Sequence, residues 1–304
     1  MKNNRFSTDK IKMRPSILKR VFVFLLVSTL VILGCAPSKK AFIDKGQQKM
    51  YNERYGEHTR NVMDVYLPAG RTPDTPFVVL IHGGAWVQAG KEYVRDIQDT
   101  LLDHGIAVAN MNHRYANATD THYKQMLQDV DHALAYCSEH AEEWGTRDEG
   151  FTMVGASSGA HLAMLSSYTT SKSIKAIVDF SGPTYFDDTD LLDYAVEAGL
   201  IEMVQMMTGK SYDKEKPLDS AFTDSSPLSH VKDIPVLIIH GTYDEVVPFS
   251  QSQILDKKLT SMGFEHKFLK IPNAGHDLDL DDSETKKLVY GAMVDWVLKH
   301  GYDK

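Results

Sequence analysis

The sequence predicts an α/β fold, with a mostly parallel central sheet, helices on both of its faces and a short helical insertion. Two observations lead to this prediction. Short apolar runs such as 77–82 and 236–239 alternate with segments whose apolar residues recur at helical spacing. The runs are also continuous, which is typical of strands buried between two layers of helices. The composition, 42% hydrophobic and 24% charged over 304 residues, is that of an ordinary globular protein.

The predicted elements follow one another regularly after two early strands. Those early strands, 49–55 and 61–67, are expected to form a meander before the turn-rich segment 68–73. The later strands are predicted at 77–82, 106–111, 151–154, 176–180, 236–239 and 266–271. The helices are predicted around Val94, Ile97 and Leu101 and over 123–141, 159–168, 250–262 and 283–299. This alternation brings the carboxyl ends of the central strands to one sheet edge, where open α/β sheets bind ligands.

The segment 183–234 interrupts the alternation. It begins with an acidic stretch that contains Asp187, Asp188, Asp190 and Asp193. A methionine-rich helix follows, with Met203, Met206 and Met207. Because the segment lies between two predicted parallel strands, it could cover the ligand-binding edge as a cap, or it could be a surface excursion that covers core. The methionines are more typical of core than of a substrate groove.

Residues 1–34 differ in character from the rest of the chain. Seven Lys and Arg residues precede or border the uncharged apolar run 21–33. That run is shorter than the roughly 20 residues that span a bilayer. A basic segment followed by a short apolar run is typical of a secretory signal peptide. The chain is therefore expected to be exported.

The apolar run ends in Ile32-Leu33-Gly34-Cys35, which resembles the lipobox of bacterial lipoproteins. The resemblance implies lipidation of Cys35, removal of residues 1–34 and a lipid-anchored protein of the cell envelope, at the outer membrane or in the periplasm. Residues 35–48 would then be a polar tether and 49–304 the folded domain. The alternative is an uncleaved N-terminal anchor with an incidental cysteine. Both interpretations hold the domain on a membrane.

Without residues 1–34 the chain is strongly acidic. It keeps 26 basic and 40 acidic residues, a formal charge of −14 in place of −8. No basic stripe remains to bind phosphates, which argues against nucleic acid as a partner. Cys137 is then the only cysteine besides Cys35, and its place in an amphipathic helical pattern predicts a small buried apolar side chain.

The stretch Gly155-Ala156-Ser157-Ser158-Gly159 fits the pattern G-x-S-x-G between a predicted strand and a predicted helix. A sharp turn there would lift Ser157 above the sheet edge, and glycines on either side avoid Cβ atoms that would collide. The hydroxyl would lie at a helix N-terminus, which favours developing negative charge. Ser158 would offer its backbone N–H. The alternative is that Ser157 is a helix N-cap.

A glycine-rich loop follows the strand 77–82. In His82-Gly83-Gly84-Ala85-Trp86, the backbone N–H groups of Gly83 and Gly84 could turn toward a substrate carbonyl and stabilise an oxyanion. The alternative is a simple glycine turn with a packing tryptophan. Trp86 could equally line a substrate pocket. Tyr185, which follows another strand end, is a second candidate for substrate contact.

An acid and a base follow two later strands. A serine hydroxyl needs a base at neutral pH, and histidine has a suitable pKa. His276 lies in a loop after the strand 266–271, and Asp244 follows the strand 236–239. A carboxylate there would fix the histidine tautomer. Ser157, Asp244 and His276 come in the chain order of α/β-hydrolases, and their strand ends share one sheet edge.

These motifs together resemble the α/β-hydrolase superfamily, and in particular bacterial feruloyl- and acetyl-esterase-like enzymes. The His-Gly-Gly-x-Trp stretch also resembles arylformamidases. The resemblance spans roughly residues 50–300 and implies an α/β-hydrolase fold, a Ser157–Asp244–His276 triad and cleavage of a small-molecule or carbohydrate ester without metal or cofactor. It leaves open an arylformamidase, a prolyl-oligopeptidase-like peptidase and a non-catalytic surface binding protein. The sequence does not indicate an oligomeric state.

Other histidines and acids are alternative candidates for the base and the acid. The rival histidines are His82, which in the family supports the oxyanion loop, and His240, which is structural there. His161 could line the pocket but is expected to be solvated. The rival acids are Glu245, Asp224 and Asp233. The acidic run after His276 lacks the glycine and the final acid of a calcium-binding loop and is interpreted as the start of the last helix.

Overall fold

The computed structural model describes residues 45–302. An eight-stranded sheet runs through them, made of β1 Gln48–Arg54, β2 Val62–Leu67, β3 Phe77–Ile81, β4 Ala107–Met111, β5 Phe151–Ala156, β6 Ile174–Phe180, β7 Val236–Gly241 and β8 His266–Ile271. The strands lie in the order β1-β2-β4-β3-β5-β6-β7-β8. Strand β2 is antiparallel to β1 and β4, and the remaining neighbours are parallel. The predicted mostly parallel sheet is confirmed.

The helices of the described region are α1 Arg95–Asp103, α2 Tyr123–Glu139, α3 Ala141–Trp144, α4 Ser158–Thr169, α5 Thr189–Glu197, α6 Ile201–Thr208, α7 Ser220–Asp224, α8 Ser250–Met262 and α9 Ser283–Gly301. Short 3₁₀ turns cover Lys91–Val94 and Pro227–His230. The last helix is capped by Asp282, whose carboxylate accepts the Thr285 N–H at 2.8 Å. The acidic run before it therefore caps a helix, as the sequence predicts.

Alternate side chains of one strand enter two different cores. In β3, Val79 and Ile81 pack into a cluster with residues of α2 and α4, whereas Val78 and Leu80 pack into a cluster with residues of α1 and α9. All of them are fully buried. This arrangement explains why the strand reads as a continuous apolar run, since both of its faces need apolar side chains.

The segment 183–234 forms α5, α6, α7 and the second 3₁₀ turn between β6 and β7. Leu192, Val204, Met207 and Phe222 are buried in the same cluster as one face of the sheet. Met203 and Met206 pack against that cluster and are only partly buried. The segment therefore contributes to the core on that face of the sheet.

The fold begins slightly before the predicted boundary at residue 49. The Arg71 guanidinium donates to the Gly46 carbonyl at 2.8 Å and also contacts the Gln48 side chain, so the end of the predicted tether packs on the domain. Cys137 is buried, as predicted. The signal segment, Cys35 and the remainder of the tether lie outside the described residues. Within residues 45–302, no helix combines the length and apolar character needed to cross a bilayer.

Candidate active site

Ser157 stands alone between β5 and α4, at a turn with an unusual backbone. Its φ of 53° and ψ of −123° lie where non-glycine residues are rarely found. A Cβ on Gly155 would collide with the Gly159 carbonyl, and a Cβ on Gly159 would collide with the carbonyl oxygens of Ile81 and His82. The two glycines are therefore required by close backbone approach. Strain of this kind persists only where the surrounding structure enforces it, and it is concentrated at functional sites.

His276 lies between Ser157 and Asp244. Its Nε2 is 2.9 Å from the Ser157 Oγ, and its Nδ1 is 2.7 Å from the Asp244 Oδ2. The carboxylate can only accept, so Nδ1 carries the proton and Nε2 accepts from the serine hydroxyl. The Asp244 side chain is fully buried, and that of His276 is 22% exposed. The structure thus brings the three residues predicted from the sequence into one hydrogen-bonded chain.

Several donors converge on the Asp244 carboxylate. Its Oδ1 accepts the N–H groups of Val246 and Val247 at 2.8 and 2.9 Å. Its Oδ2 lies 3.0 Å from the His240 Nε2, in addition to the contact with His276. Burial by itself raises the pKa of Asp244, but the hydrogen bonds from His240, His276 and Val247 outweigh it and hold the pKa below the ordinary carboxyl range. The carboxylate therefore stays ionised at neutral pH.

The loop 83–86 leaves β3 beside the serine turn. A Cβ on Gly83 would lie 2.9 Å from the Ala156 carbonyl oxygen, so the two backbones nearly touch. The φ angles are 116° at Gly84, 48° at Ala85 and 64° at Trp86. Three successive residues with positive φ turn the chain sharply, and two of them carry a Cβ. This loop is held in a conformation that the isolated chain avoids.

Ser158 is the first residue of α4. Its backbone N–H is therefore among those that have no acceptor inside the helix. The glycine loop approaches the same turn, since a Cβ on Gly83 would lie 3.2 Å from the Ser157 Cβ. A helix N-terminus also favours negative charge at that position.

His82 supports the start of the glycine loop. Its Nδ1 lies 2.6 Å from the Gly83 carbonyl oxygen, and the Arg60 Nη2 donates to its Nε2 at 3.3 Å. The ring stacks on His113 with centroids 4.6 Å apart. Burial, and then the neighbouring His113, lower the pKa of His82 to about 3, so the ring is neutral.

The expectation that His161 is solvated is wrong. The side chain is 0% exposed. The Trp86 Nε1 donates to its Nδ1 at 3.0 Å, and its Nε2 donates to the Ser225 carbonyl at 2.8 Å. His161 is buried because the segment before β7 packs over the first turn of α4, and helical spacing within α4 carries no signal of that contact.

A cleft opens beside Ser157 and is lined almost entirely by apolar side chains. The serine turn and the glycine loop contribute Ser157, Ser158, Ala85 and Trp86. The segment 183–234 contributes Pro183, Tyr185, Phe186, Leu191, Leu192, Tyr194, Ala195, Leu200, Met203 and Val204. The region after β7 contributes Val246, Val247, Pro248 and Gln251. Both predicted substrate contacts, Trp86 and Tyr185, thus line the cleft that contains Ser157.

Two hydrogen-bonded contacts fix the segment 183–234 to the region after β7. The Tyr194 hydroxyl donates to the Glu245 carbonyl at 2.6 Å. The Gln251 Oε1 accepts the N–H groups of Thr184 and Tyr185 at 2.9 and 2.8 Å, and its Nε2 donates to the Tyr185 carbonyl at 2.9 Å. Sequence reasoning missed Gln251, since a glutamine in the first turn of a polar helix gives no signal of a buried role.

The remaining candidates lie outside the hydrogen-bonded chain or support it. The side chains of Glu245, Asp224 and Asp233 are exposed. His240 is fully buried, with its Nδ1 2.7 Å from the Ser252 Oγ. No group of three or more His, Cys, Asp or Glu residues between 45 and 302 is arranged to hold a metal ion.

Residues 63–259 match the model of the BD-FAE family, which is more than half of the chain. The chain belongs to the BD-FAE family. The match covers the glycine loop, the serine turn and Asp244, and it ends before His276.

The chain is also similar in sequence to curated esterases. The chain is 28% identical to a probable isoprenylcysteine alpha-carbonyl methylesterase of Oryza sativa subsp. japonica, over 75% of this chain and 57% of the relative. It is 24% identical to esterase LipQ of Mycobacterium tuberculosis, over 80% of this chain and 60% of the relative. The chain therefore spans somewhat more than half the length of these relatives.

Solved structures confirm the fold of this BD-FAE chain. A truncated carbohydrate esterase from gut microbiota superposes with a TM-score of 0.70 at 22% identity, over 85% of this chain and 98% of that one. At that level of identity the likeness concerns the fold. The α/β-hydrolase fold predicted from the motifs is confirmed.

Proposed function

We propose that the chain is a carboxylic ester hydrolase that uses Ser157, His276 and Asp244 as a catalytic triad. The observation that carries the proposal is the pair of hydrogen bonds, 2.9 and 2.7 Å long, that links the three side chains, with Ser157 lining an apolar cleft. The names of the curated relatives, which are esterases and methylesterases, support the reaction class.

In the first half of the reaction, the Ser157 Oγ attacks the ester carbonyl carbon while the His276 Nε2 takes the hydroxyl proton. Asp244 holds the Nδ1–H tautomer and stabilises the imidazolium that forms. The N–H groups of Ser158 and of the glycine pair 83–84 donate to the carbonyl oxygen as it gains negative charge. His276 then gives its proton to the leaving alcohol, and the acyl group remains on Ser157.

In the second half, water replaces the alcohol. His276 removes a proton from the water molecule, which attacks the acyl carbon on Ser157. The same N–H groups stabilise the second tetrahedral intermediate, and its collapse releases the carboxylic acid and returns the proton to the serine. The 22% exposure of His276 gives both the leaving alcohol and the incoming water a path to solvent.

The cleft indicates which part of the ester it holds. Apart from Ser157 and a few polar groups at its edges, the lining residues are aliphatic or aromatic. Such a surface binds an apolar acyl group and does not satisfy the hydrogen bonds of a sugar. We therefore place the acyl chain in the cleft and the alcohol, whether a small alcohol or a carbohydrate, toward the exposed side.

A panel of p-nitrophenyl esters with acyl chains of increasing length tests both the activity and the acyl site. Hydrolysis is expected, with kcat/KM rising from acetate to the first longer chains as apolar contact grows. Ala195 lines the cleft, so Ala195→Leu should fill part of it. We expect this variant to lose about tenfold or more in kcat/KM for the longer esters and little for acetate, since a methylene in an apolar pocket is worth roughly 1–3 kcal/mol.

Val196→Leu is the matched control, because Val196 is the next residue on α5 and is 49% exposed. It places a leucine outside the cleft, although it adds one methylene group where Ala195→Leu adds three carbon atoms, and it should leave the chain-length profile unchanged. Equal effects of the two variants would contradict the acyl site. If no ester is hydrolysed and N-formylkynurenine or a prolyl p-nitroanilide is cleaved, the activity is that of a formamidase or peptidase. If nothing is cleaved and a fluorophosphonate does not label the protein, the result favours a non-catalytic binding protein.

We also propose that residues 1–34 direct export and that Cys35 carries a lipid anchor in the bacterial cell envelope. The support is the basic and apolar leader that ends at the lipobox-like stretch. An alkyne fatty acid should be incorporated into the full-length protein in bacteria and not into a Cys35→Ala variant. Equal incorporation into both proteins would contradict a lipid on this cysteine.

A further inference from the structure

Three buried rings meet beside the proposed oxyanion site. Trp86 follows the glycine loop, His161 lies in the first turn of α4, and Phe186 lies in the segment after β6. The ring centroids of Trp86 and His161 are 5.3 Å apart, those of His161 and Phe186 are 5.4 Å apart, and those of Trp86 and Phe186 are 6.0 Å apart. All three pairs pack edge to face, a geometry that favours aromatic contact. The cluster thus joins three parts of the chain that surround Ser157.

The hydrogen bonds of His161 fix its protonation state. The Trp86 indole N–H can only donate, so the His161 Nδ1 must accept at 3.0 Å. The Ser225 carbonyl can only accept, so the His161 Nε2 must carry a proton at 2.8 Å. The ring is therefore neutral, in the Nε2–H form. Burial lowers the pKa of His161 to about 4, which agrees with that geometry.

The Trp86 side chain is well placed to hold the glycine loop. The φ angles from Gly84 to Trp86 are 116°, 48° and 64°, so the loop needs outside contacts to keep its shape. The Trp86 carbonyl accepts the Ala116 N–H at 2.9 Å, which fixes its backbone from one side. The indole N–H bonded to His161 fixes its side chain from the other. The loop that carries Gly83 and Gly84 is thereby tied to the same helix that begins at the proposed nucleophile.

We infer that His161 is a positioning residue for ester hydrolysis, which holds the oxyanion loop against α4 through its hydrogen bond to Trp86. His161 is not among the residues that line the cleft, so it acts through Trp86 and not on the substrate. The inference rests on the proposed function. It assigns to His161 a role in the transition state, since the loop N–H groups matter most when the carbonyl oxygen becomes negative.

The first test compares His161→Leu with His161→Gln. Leucine removes both hydrogen bonds, and we expect kcat to fall by roughly 10- to 100-fold while KM changes by less than about threefold, since removing one oxyanion donor costs up to 10³-fold. Glutamine carries one acceptor and one donor, like the neutral histidine, and should recover a large part of kcat. Leu165→Val, a buried change further along α4, controls for general loosening of that helix and should leave kcat near that of the wild type.

A second test works even if leucine at 161 unfolds the protein. Trp86→Phe removes the indole donor and keeps an aromatic ring, so it should lower kcat in the same way. The affinity for a trifluoromethyl ketone, which forms a tetrahedral adduct with a serine, should fall in parallel with kcat/KM in both variants. A purely structural role would reduce the folded fraction and leave that affinity unchanged.

Nitrogen NMR of the wild type tests the hydrogen bond without any assay. The His161 ring should stay neutral, with the proton on Nε2, from pH 5 to 9, a range that lies above its pKa of about 4. A wild type that hydrolyses no ester would refute the proposed function. An active wild type with fully active His161→Leu and Trp86→Phe variants, or with a His161 that titrates in this range, would overturn the positioning role alone.

Discussion

Replacing Ser157 with alanine is expected to reduce kcat for ester hydrolysis by roughly 10⁴- to 10⁶-fold, because the proposed nucleophile is lost. The remaining rate would come from substrate binding and the oxyanion donors, which still act on a direct attack by water. The fold should survive, since alanine keeps the Cβ and the φ of 53° is imposed by the neighbouring backbone. The hydroxyl that disappears has its contact with His276, whose side chain is 22% exposed and can bind water instead.

The measurement is kcat on a short p-nitrophenyl ester, with the thermal midpoint Tm as a check of folding. Ser167→Ala is the matched control. Ser167 is a buried serine on α4, the helix that follows Ser157, and its hydroxyl donates to the Ala163 carbonyl at 2.6 Å. The control should keep its activity. A Ser157→Ala variant that retains more than about one per cent of kcat would show that another group is the nucleophile.

Replacing Asp244 with asparagine is expected to lower kcat by about 10⁴-fold, which is at the lower end of the loss expected for Ser157→Ala. The four contacts of the carboxylate are all made with N–H groups or with imidazole nitrogens. Asparagine must turn its own NH₂ either toward the N–H groups of Val246 and Val247 or toward the ring nitrogens of the two histidines. If the NH₂ faces His276, the ring changes to the Nε2–H tautomer and cannot accept the proton of Ser157.

Stability gives a second measure of the same variant. The pKa of Asp244 is held below the ordinary carboxyl value of about 4, so its contribution to the free energy of unfolding is present above that pH. The contribution is lost as the pH falls through the pKa of the folded state. The difference in stability between wild type and Asp244→Asn should therefore be largest near neutral pH and shrink in acid.

Glu245→Gln is the control for this change, because Glu245 is the exposed neighbour and loses the same charge. It should alter neither kcat nor the pH dependence of stability. If the two variants behaved alike, the contact of Asp244 with His276 would have no catalytic consequence. Asp244 would then not be the acid of the triad.

The parts of the site that the sequence reveals are those built from local patterns. Gly155 and Gly159 mark a turn that no other residue could make, and Ser157 lies between them. Asp244 and His276 each follow an apolar strand, and a parallel sheet brings such positions to one edge without further information. The two-sided core and the meeting of these side chains follow from the same reasoning, whereas the strand order comes from the structure alone.

The parts that the sequence hides depend on contacts between distant segments. His161 has a polar side chain on a helix, and only the packing of Ser225 over that helix makes it a buried partner of Trp86. Met203 is a residue type typical of cores, but its side chain lines the cleft because it is only partly buried against the core. Periodicity identifies the face of a helix and does not identify what covers it.

The most direct test of the central claim is to treat the folded protein with a fluorophosphonate and locate the adduct by peptide mass spectrometry. A serine that shares a hydrogen bond with His276 should be phosphonylated once per chain, and the label should lie on Ser157. Prior treatment with the ester substrate should slow the labelling. A label on Ser158 or on a distant serine, or no label on folded protein, would contradict the account.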